Sequence, residues 1–413
     1  MRAVTFDGTI PKYLTSRATG ALSRKLLTGP GRCTNLMNVT VPVLPGEDWV
    51  RINTRLGGIC GSDINLVQLH VSPSASPFSS FPFVFGHENV GVIAEVGRSV
   101  HDFLPGERVV VNPLLSCVPR GIEPPCGSCA SGKPSRCENF TGGQLAPGML
   151  LGTTRDLGGS WGEYYVAHES QLSQVPDSVS DRAAVLLEPF ATALSAVLAT
   201  IPAAGETVLV IGGGTIGLLT VAALHALTPE AEVTALVRHG FQAEHAERLG
   251  AGHLVVTKAS RDYFQELATL SGGRLLRPIL GKRIQIGGFD STFVCVGSDG
   301  AIDDALRFTN AGGRVVLLGN VAALPKVDWT PLWMKEITLR GSLCYNIHAH
   351  GGARQHSFAL GMELLAGGLA GSLETLVTHL FPLDRYEEAL ALAWSKSATP
   401  SVKIAFQNER AST

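Results

Sequence analysis

Charge is sparse in this chain. Asp, Glu, Lys and Arg make up 16% of its 413 residues, and the two signs nearly cancel to a formal net charge of −2. So balanced a composition gives no electrostatic case for nucleic acid or an acidic surface as partner, and neither nucleic acid nor membrane is expected. No run of 18 or more apolar residues occurs, so no transmembrane helix is expected. The first ten residues, MRAVTFDGTI, lack the basic segment and long apolar run of a secretory signal. Internal repeats and low-complexity tracts are also missing. A cytoplasmic protein is expected, in which the eight cysteines serve as thiols or metal ligands, not disulfides. The length and a hydrophobic share of 45% predict a large core and two domains.

What is present centres on residues 207–219, TVLVIGGGTIGLL: an apolar strand, a glycine turn and the start of an apolar helix. Gly212, Gly214 and Gly217 stand at G-x-G-x-x-G spacing. Gly212 lets the chain turn tightly off the strand, Gly214 lets backbone amides approach a pyrophosphate, and Gly217 lets the helix sit close to the sheet. Thr215 and Ile216 open that helix, whose free N–H groups favour an anion. A dinucleotide site is predicted.

Two further clusters carry chemistry. Cys60 in GICGSD and His87 with Glu88 in FGHEN each sit where a strand-like run gives way to a turn. Sulfur and imidazole beside a carboxylate suit zinc. Cys117, Cys126, Cys129 and Cys137 crowd into a Pro- and Gly-rich stretch that no helix or strand organises. Four thiolates in such a lobe read as a closed zinc site; labile disulfides or free thiols are the alternative.

Taken in order, GICGSD, GHE-x-x-G, PGERVVV, the four-cysteine lobe, EPFATAL, VIGGGTIG, FVCVG and LRGS span nearly the whole chain. With them the sequence resembles the zinc-containing medium-chain dehydrogenase/reductase family of alcohol, sorbitol and threonine dehydrogenases. The resemblance implies an α/β architecture. A GroES-like β-rich catalytic domain covers 1–190, with the cysteine lobe at about 112–140. A Rossmann doubly wound parallel sheet covers 191–344, and 345–413 returns to the catalytic domain. It implies that Cys60, His87 and Glu188 hold a catalytic zinc, with Glu88 entering the metal shell in some members. Ser62 matches the hydroxyl that bonds the substrate alcohol, Asp63 a carboxylate behind the ligands, and Thr192 a residue beside the nicotinamide. Val296, in FVCVG, belongs with the cofactor set.

Two departures stand out. Counting forward aligns the first lobe ligand with Cys117, six extra residues before Cys126; counting backward from Cys126 puts Glu123 there. Thiolate is the softer ligand, so Cys117 is expected to bind. Asn65 stands near the place where some relatives have a relay histidine, and an amide cannot take a proton. His70 is nearby in sequence.

The end of the second cofactor-domain strand selects the cofactor. NAD enzymes place a carboxylate there for the ribose hydroxyls; here Val237 is followed by Arg238 and His239. NADP(H) preference is expected, with equal use of NAD(H) and NADP(H) as the competitor. The reaction implied is alcohol to ketone or aldehyde by hydride transfer, with two zincs per chain and a homodimer or homotetramer. The alternatives are a polyol, sugar or amino-alcohol dehydrogenase using NAD, a zinc-free NADPH double-bond reductase, and a non-catalytic NADPH-binding redox sensor. Strands are predicted at 208–211, 233–237, 254–257, 292–296, 314–318 and 337–340. Residues 7–35 read as loop and short helix, 273–285 as solvated loop or short helix with an oligomer contact as the alternative, and 354–367 as helix. Phe83 and Phe85 read as core, Phe78 and Phe81 as core or an apolar entrance wall. Trp329 and Trp333 read as packing at the domain edge or a subunit contact.

Overall fold

The computed structural model describes residues 1–320, 322, 325–395 and 399–408. The chain divides into two compact units: Met1–Glu188 with Tyr345–Ile347 and Phe358–Thr413, and Pro189–Cys344 with His348–Ser357.

In the first unit the strand Trp49–Gly58 alternates between buried and half-buried residues, as a strand with one covered face should. It pairs antiparallel with Asn89–Val96, Tyr164–His168 and Lys403–Gln407. The sheet extends outward through Arg108–Val111 and Leu172–Gln174 on one side and Val377–Pro382 on the other. A second sheet joins Arg2–Phe6 to Thr34–Asn38 and Phe83–Val84. Phe83 and Phe85 are buried, in a cluster with Phe6, Trp161 and Phe406. Successive rings are 4.9–5.6 Å apart, in contact range. Phe81 packs against this cluster half-buried, and Phe78 is exposed.

In the second unit six strands lie parallel in the order His253–Val256, Glu232–Val237, Thr207–Ile211, Phe289–Val294, Thr309–Leu317, Thr338–Gly341. Numbered along the chain this is 3-2-1-4-5-6, the doubly wound order, which reverses between the strands Thr207–Ile211 and Phe289–Val294. All six predicted strands are present.

Three segments differ from their sequence reading. Residues 7–35 contain a full helix, Ile10–Leu22, with Pro11 in its first turn, where a missing N–H costs nothing. Residues 274–286 form a β-hairpin, Arg274–Leu276 against Ile284–Ile286, with Ile279 and Leu280 fully exposed at its tip. Arg283 pins it to Asp262, and Lys282 bonds Asp303 at 2.8 Å. The helix read at 354–367 begins only at Ser357, because Ala353–His356 is a strand. Among the described residues no helix is long and apolar enough to cross a membrane.

Candidate active site

Cys60 lies just past the strand Trp49–Gly58 and caps the helix Gly61–Val67. Asp63, in that helix's first turn, accepts a hydrogen bond from the Cys60 amide at 2.9 Å. Its other oxygen stands 3.5 Å from His87 Nδ1. One carboxylate thus closes the helix and faces the imidazole. Burial disfavours the His87 cation, but Asp63 and Cys60 outweigh it and raise the ring's pKa well above the usual histidine range. His87 and Glu88 bridge Phe83–Val84 and Asn89–Val96. The Asn89 amide fastens that bridge, donating to the carbonyls of His87 at 3.0 Å and Val111 at 2.9 Å.

The donor atoms of Cys60, His87 and Glu88 lie within 4.8 Å of one another. Glu188 stands outside that trio, buried at the start of the helix Leu187–Leu198, where it accepts a hydrogen bond from the Tyr345 hydroxyl. Burial pushes the Glu188 carboxyl up to about 7; His87, Tyr345 and Lys403 oppose the shift and Glu88 adds to it. Glu88 itself is clasped by Lys403, whose Nζ donates to both its oxygens and to the Ile59 carbonyl at 3.1 Å. Sequence reasoning missed Lys403 and Tyr345. The signal for Lys403 was a lysine amid the apolar strand residues of SVKIAF; Tyr345 carried none beyond its place after LRGS. Ser62 and Asn65 lie half-buried on Gly61–Val67, and His70 is exposed.

Asp63, Glu88 and Glu188 are thus buried around a thiol and an imidazole, with Lys403 as the fully buried ammonium beside them. Uncompensated buried carboxylates are costly, and a divalent cation removes the cost. Cysteine, histidine and glutamate are a zinc donor set with room for a fourth ligand. The residues fit the metal.

The four lobe cysteines also meet. Their sulfurs lie within 4.8 Å of one another, with Cys117 and Cys137 at 3.6 Å. That is far beyond an S–S bond and close to the roughly 3.8 Å edge of a tetrahedron with zinc–sulfur bonds near 2.3 Å. Amide groups of Cys126 and Asn139 donate to the sulfurs at 3.3–3.4 Å. Burial and the neighbouring Cys117 push the Cys137 thiol up to about 11, so joint ionisation needs a cation. Glu123 is exposed and outside this group.

The extra residues between Cys117 and Cys126 have a job of their own. Arg120, among them, is fully buried and donates to the carbonyls of Leu115, Gly142, Leu145, Ala146 and Gly148. Arg120→Met keeps the length but strips these acceptors of their donor. It is expected to cost about 3–5 kcal/mol, read as a lower denaturant midpoint with loss of lobe metal.

In the second unit Gly212 has a φ of +120°, and a Cβ there would overlap Val296. A Cβ at Gly217 would overlap the Gly212 carbonyl, so the helix Thr215–Leu227 starts tight against the turn. Gly214 caps that helix and faces open space. Gly212 and Val296 flank the strand-order reversal, where doubly wound sheets bind ligands. Ile216 lies in the helix's first turn, and Thr192 is half-buried on Leu187–Leu198. Val237 is buried at the end of Glu232–Val237. Exposed Arg238 and half-buried His239 follow it, and burial and the charges of Lys258 and Arg238 lower the His239 pKa.

A Rossmann turn in one unit and a zinc donor set in the other, on a single chain, are the two parts of an oxidoreductase. The comparisons agree. The family model described as "Alcohol dehydrogenase GroES-like domain" matches residues 46–177, and "Zinc-binding dehydrogenase" matches 215–366. L-threonine 3-dehydrogenase of Anaeromyxobacter sp. (strain K) is 29% identical, over 85% of this chain and 89% of its own. Sorbitol dehydrogenase of Bacillus subtilis (strain 168) is 26% identical, over 87% and 91%. The crystal structure of 2R,3R-butanediol dehydrogenase from Bacillus subtilis matches with a TM-score of 0.69 and 25% identity, covering 91% of this chain and 96% of that one. The chain belongs to the zinc-type medium-chain dehydrogenase/reductase family. It is an alcohol dehydrogenase-type oxidoreductase with GroES-like and Rossmann parts, of a family that works with zinc and a nicotinamide cofactor.

Proposed function

We propose that the protein interconverts an alcohol and a ketone or aldehyde by hydride transfer with NADP(H), using two zincs per chain. The carrying observation is the trio Cys60, His87 and Glu88 with donor atoms within 4.8 Å of one another, the buried Glu188 whose carboxyl feels the His87 charge, and one lysine set aside for Glu88. Cys60, His87 and Glu188 hold the catalytic metal, and Cys117, Cys126, Cys129 and Cys137 hold the structural one. Zinc supplies Lewis acidity toward the substrate oxygen, and the nicotinamide exchanges the hydride. Ser62 moves the hydroxyl proton. Asp63 steadies His87, Tyr345 steadies Glu188, and Lys403 keeps the Glu88 charge neutralised. Asn65 relays no proton, so the proton leaves by water or the cofactor ribose. Gly212, Gly214, Thr215, Ile216 and Gly217 cradle the pyrophosphate, with Val296 and Thr192 nearer the nicotinamide. Trp329 and Trp333, both exposed, belong to a contact between copies in a homo-oligomer.

The relatives favour one class of substrate. Threonine, sorbitol and butanediol each carry a second polar group on the carbon next to an alcohol, so a diol, polyol or amino alcohol is the substrate class to test first. Metal analysis alongside NADPH and NADH oxidation against a carbonyl panel tests the whole reading. Two zincs with NADPH-linked reduction support it. One zinc, retained in Cys60→Ser, removes the catalytic metal and brings the double-bond reductase forward.

NADP(H) preference rests on Arg238, His239 and Lys258 beyond a strand that ends in Val237. Arg238→Ala is expected to lower kcat/KM for NADPH by about tenfold to a hundredfold, the worth of one hydrogen bond to a charged group, with little change for NADH. A native enzyme that prefers NADH sinks this assignment.

A further inference from the structure

The near-zero net charge of the chain hides a local imbalance. Between Gly8 and Gly46 stand Lys12, Arg17, Arg24, Lys25 and Arg32, and no Asp or Glu. Within this stretch the helix Ile10–Leu22 is turned inside out. Ser16 is its buried residue, whereas Ile10, Leu14 and Leu22 are 75%, 59% and 82% exposed. At 100° per residue, positions 10, 14, 18 and 22 form one broad stripe, with Ala18 and Ala21 inside it and Arg17 on its border. The short helical turn Arg24–Leu27 follows directly and adds exposed Leu26. Lys12 is neutralised by Asp7 at 2.7 Å. Among the described residues no salt bridge engages Arg17, Arg24 or Lys25. Arg17 donates instead to the Tyr13 hydroxyl at 3.1 Å.

An exposed aliphatic stripe bordered by unpaired cations fits a surface that is apolar within and anionic at its rim. A second copy of the chain fits poorly. A two-fold contact sets a patch on itself, so the positive patch of Arg17, Arg24 and Lys25 would be laid against a second positive patch. We propose that the helix Ile10–Leu22 and the turn Arg24–Leu27 form a docking face for an anionic phospholipid bilayer. The leucines enter the acyl boundary and the cations meet the headgroups. The expectation of no membrane partner, drawn from net charge, is revised to that extent.

The test is co-sedimentation of the full-length protein with vesicles of phosphatidylglycerol and phosphatidylcholine in equal parts, and of phosphatidylcholine alone, at low and high salt. Salt-sensitive binding to the anionic vesicles alone is expected. Leu14→Ser with Leu22→Ser should weaken it about tenfold or more. Arg24→Gln with Lys25→Gln should weaken it about fivefold for each charge. Dehydrogenase activity and molecular mass should not change in either variant. No binding, equal binding to neutral vesicles, or binding indifferent to these substitutions overturns the proposal. So does a fall in mass in the leucine variant, which makes the face a contact between copies. Loss of binding in Ile279→Ser with Leu280→Ser, with the leucine variant still bound, moves the site to the hairpin and also overturns it.

Discussion

Cys60→Ser, or His87→Ala, is expected to lower turnover about a thousandfold or more, the several kcal/mol that a Lewis acid contributes to the barrier. Zinc content should fall by one per chain while far-ultraviolet circular dichroism stays unchanged. The fold survives because the local backbone has other supports: a serine hydroxyl can take over the Cys60 side chain's part in capping Gly61–Val67. The turn at Cys60 is closed by its amide and Asp63, and the bridge through His87 is fastened by Asn89. Asp63→Asn separates positioning from ligation. It keeps a hydrogen-bond acceptor but loses the charge, and should cost about tenfold to a hundredfold with metal affinity weakened in step. Full activity in a Cys60→Ser protein shown to lack that zinc would refute the mechanism.

Lys403→Met should be strongly destabilising to the first unit, on a par with Arg120→Met. Lys403 and Glu88 are 2% and 1% exposed, and their ion pair is closed to solvent. Removing the lysine strands a buried carboxylate, at a cost of about 3–5 kcal/mol. The denaturant midpoint of the first unit should drop accordingly. Adding Glu88→Gln should restore most of the loss, because an amide tolerates burial with fewer charges to balance. A double variant no more stable than Lys403→Met would show that the lysine acts through packing. The Ile59 carbonyl, which also accepts from Nζ, is the competing account.

The parts of the molecule legible in the sequence are those where one local rule decides. The glycine turn is one. Gly212 needs a positive φ and Gly217 needs bare backbone beneath it, and both requirements show as glycines at fixed spacing. The six parallel strands are another, since each is an apolar run between helical patterns. What could not be read depends on residues far apart along the chain. Lys403 meets Glu88 across 315 positions, and Tyr345 meets Glu188 across 157. No spacing rule links such pairs. The hairpin at 274–286 went unread for another reason. Its strands are three residues each, too short for alternation to show, and its anchors Asp262 and Asp303 lie on either side of it in sequence.

The residues Tyr345–Ile347 belong to the first unit although their neighbours on both sides belong to the second. In this detour Asn346 accepts two hydrogen bonds from Ser135 of the lobe, at 3.2 and 2.9 Å, and the Ile347 amide donates to Gly132 at 2.9 Å. The residue just before them is the one that holds Glu188. Lobe and active site are therefore tied to consecutive letters of the sequence. A single insertion or deletion there shifts both attachments together. A small length change in this stretch therefore disturbs the seat of the lobe and the partner of Glu188 at once.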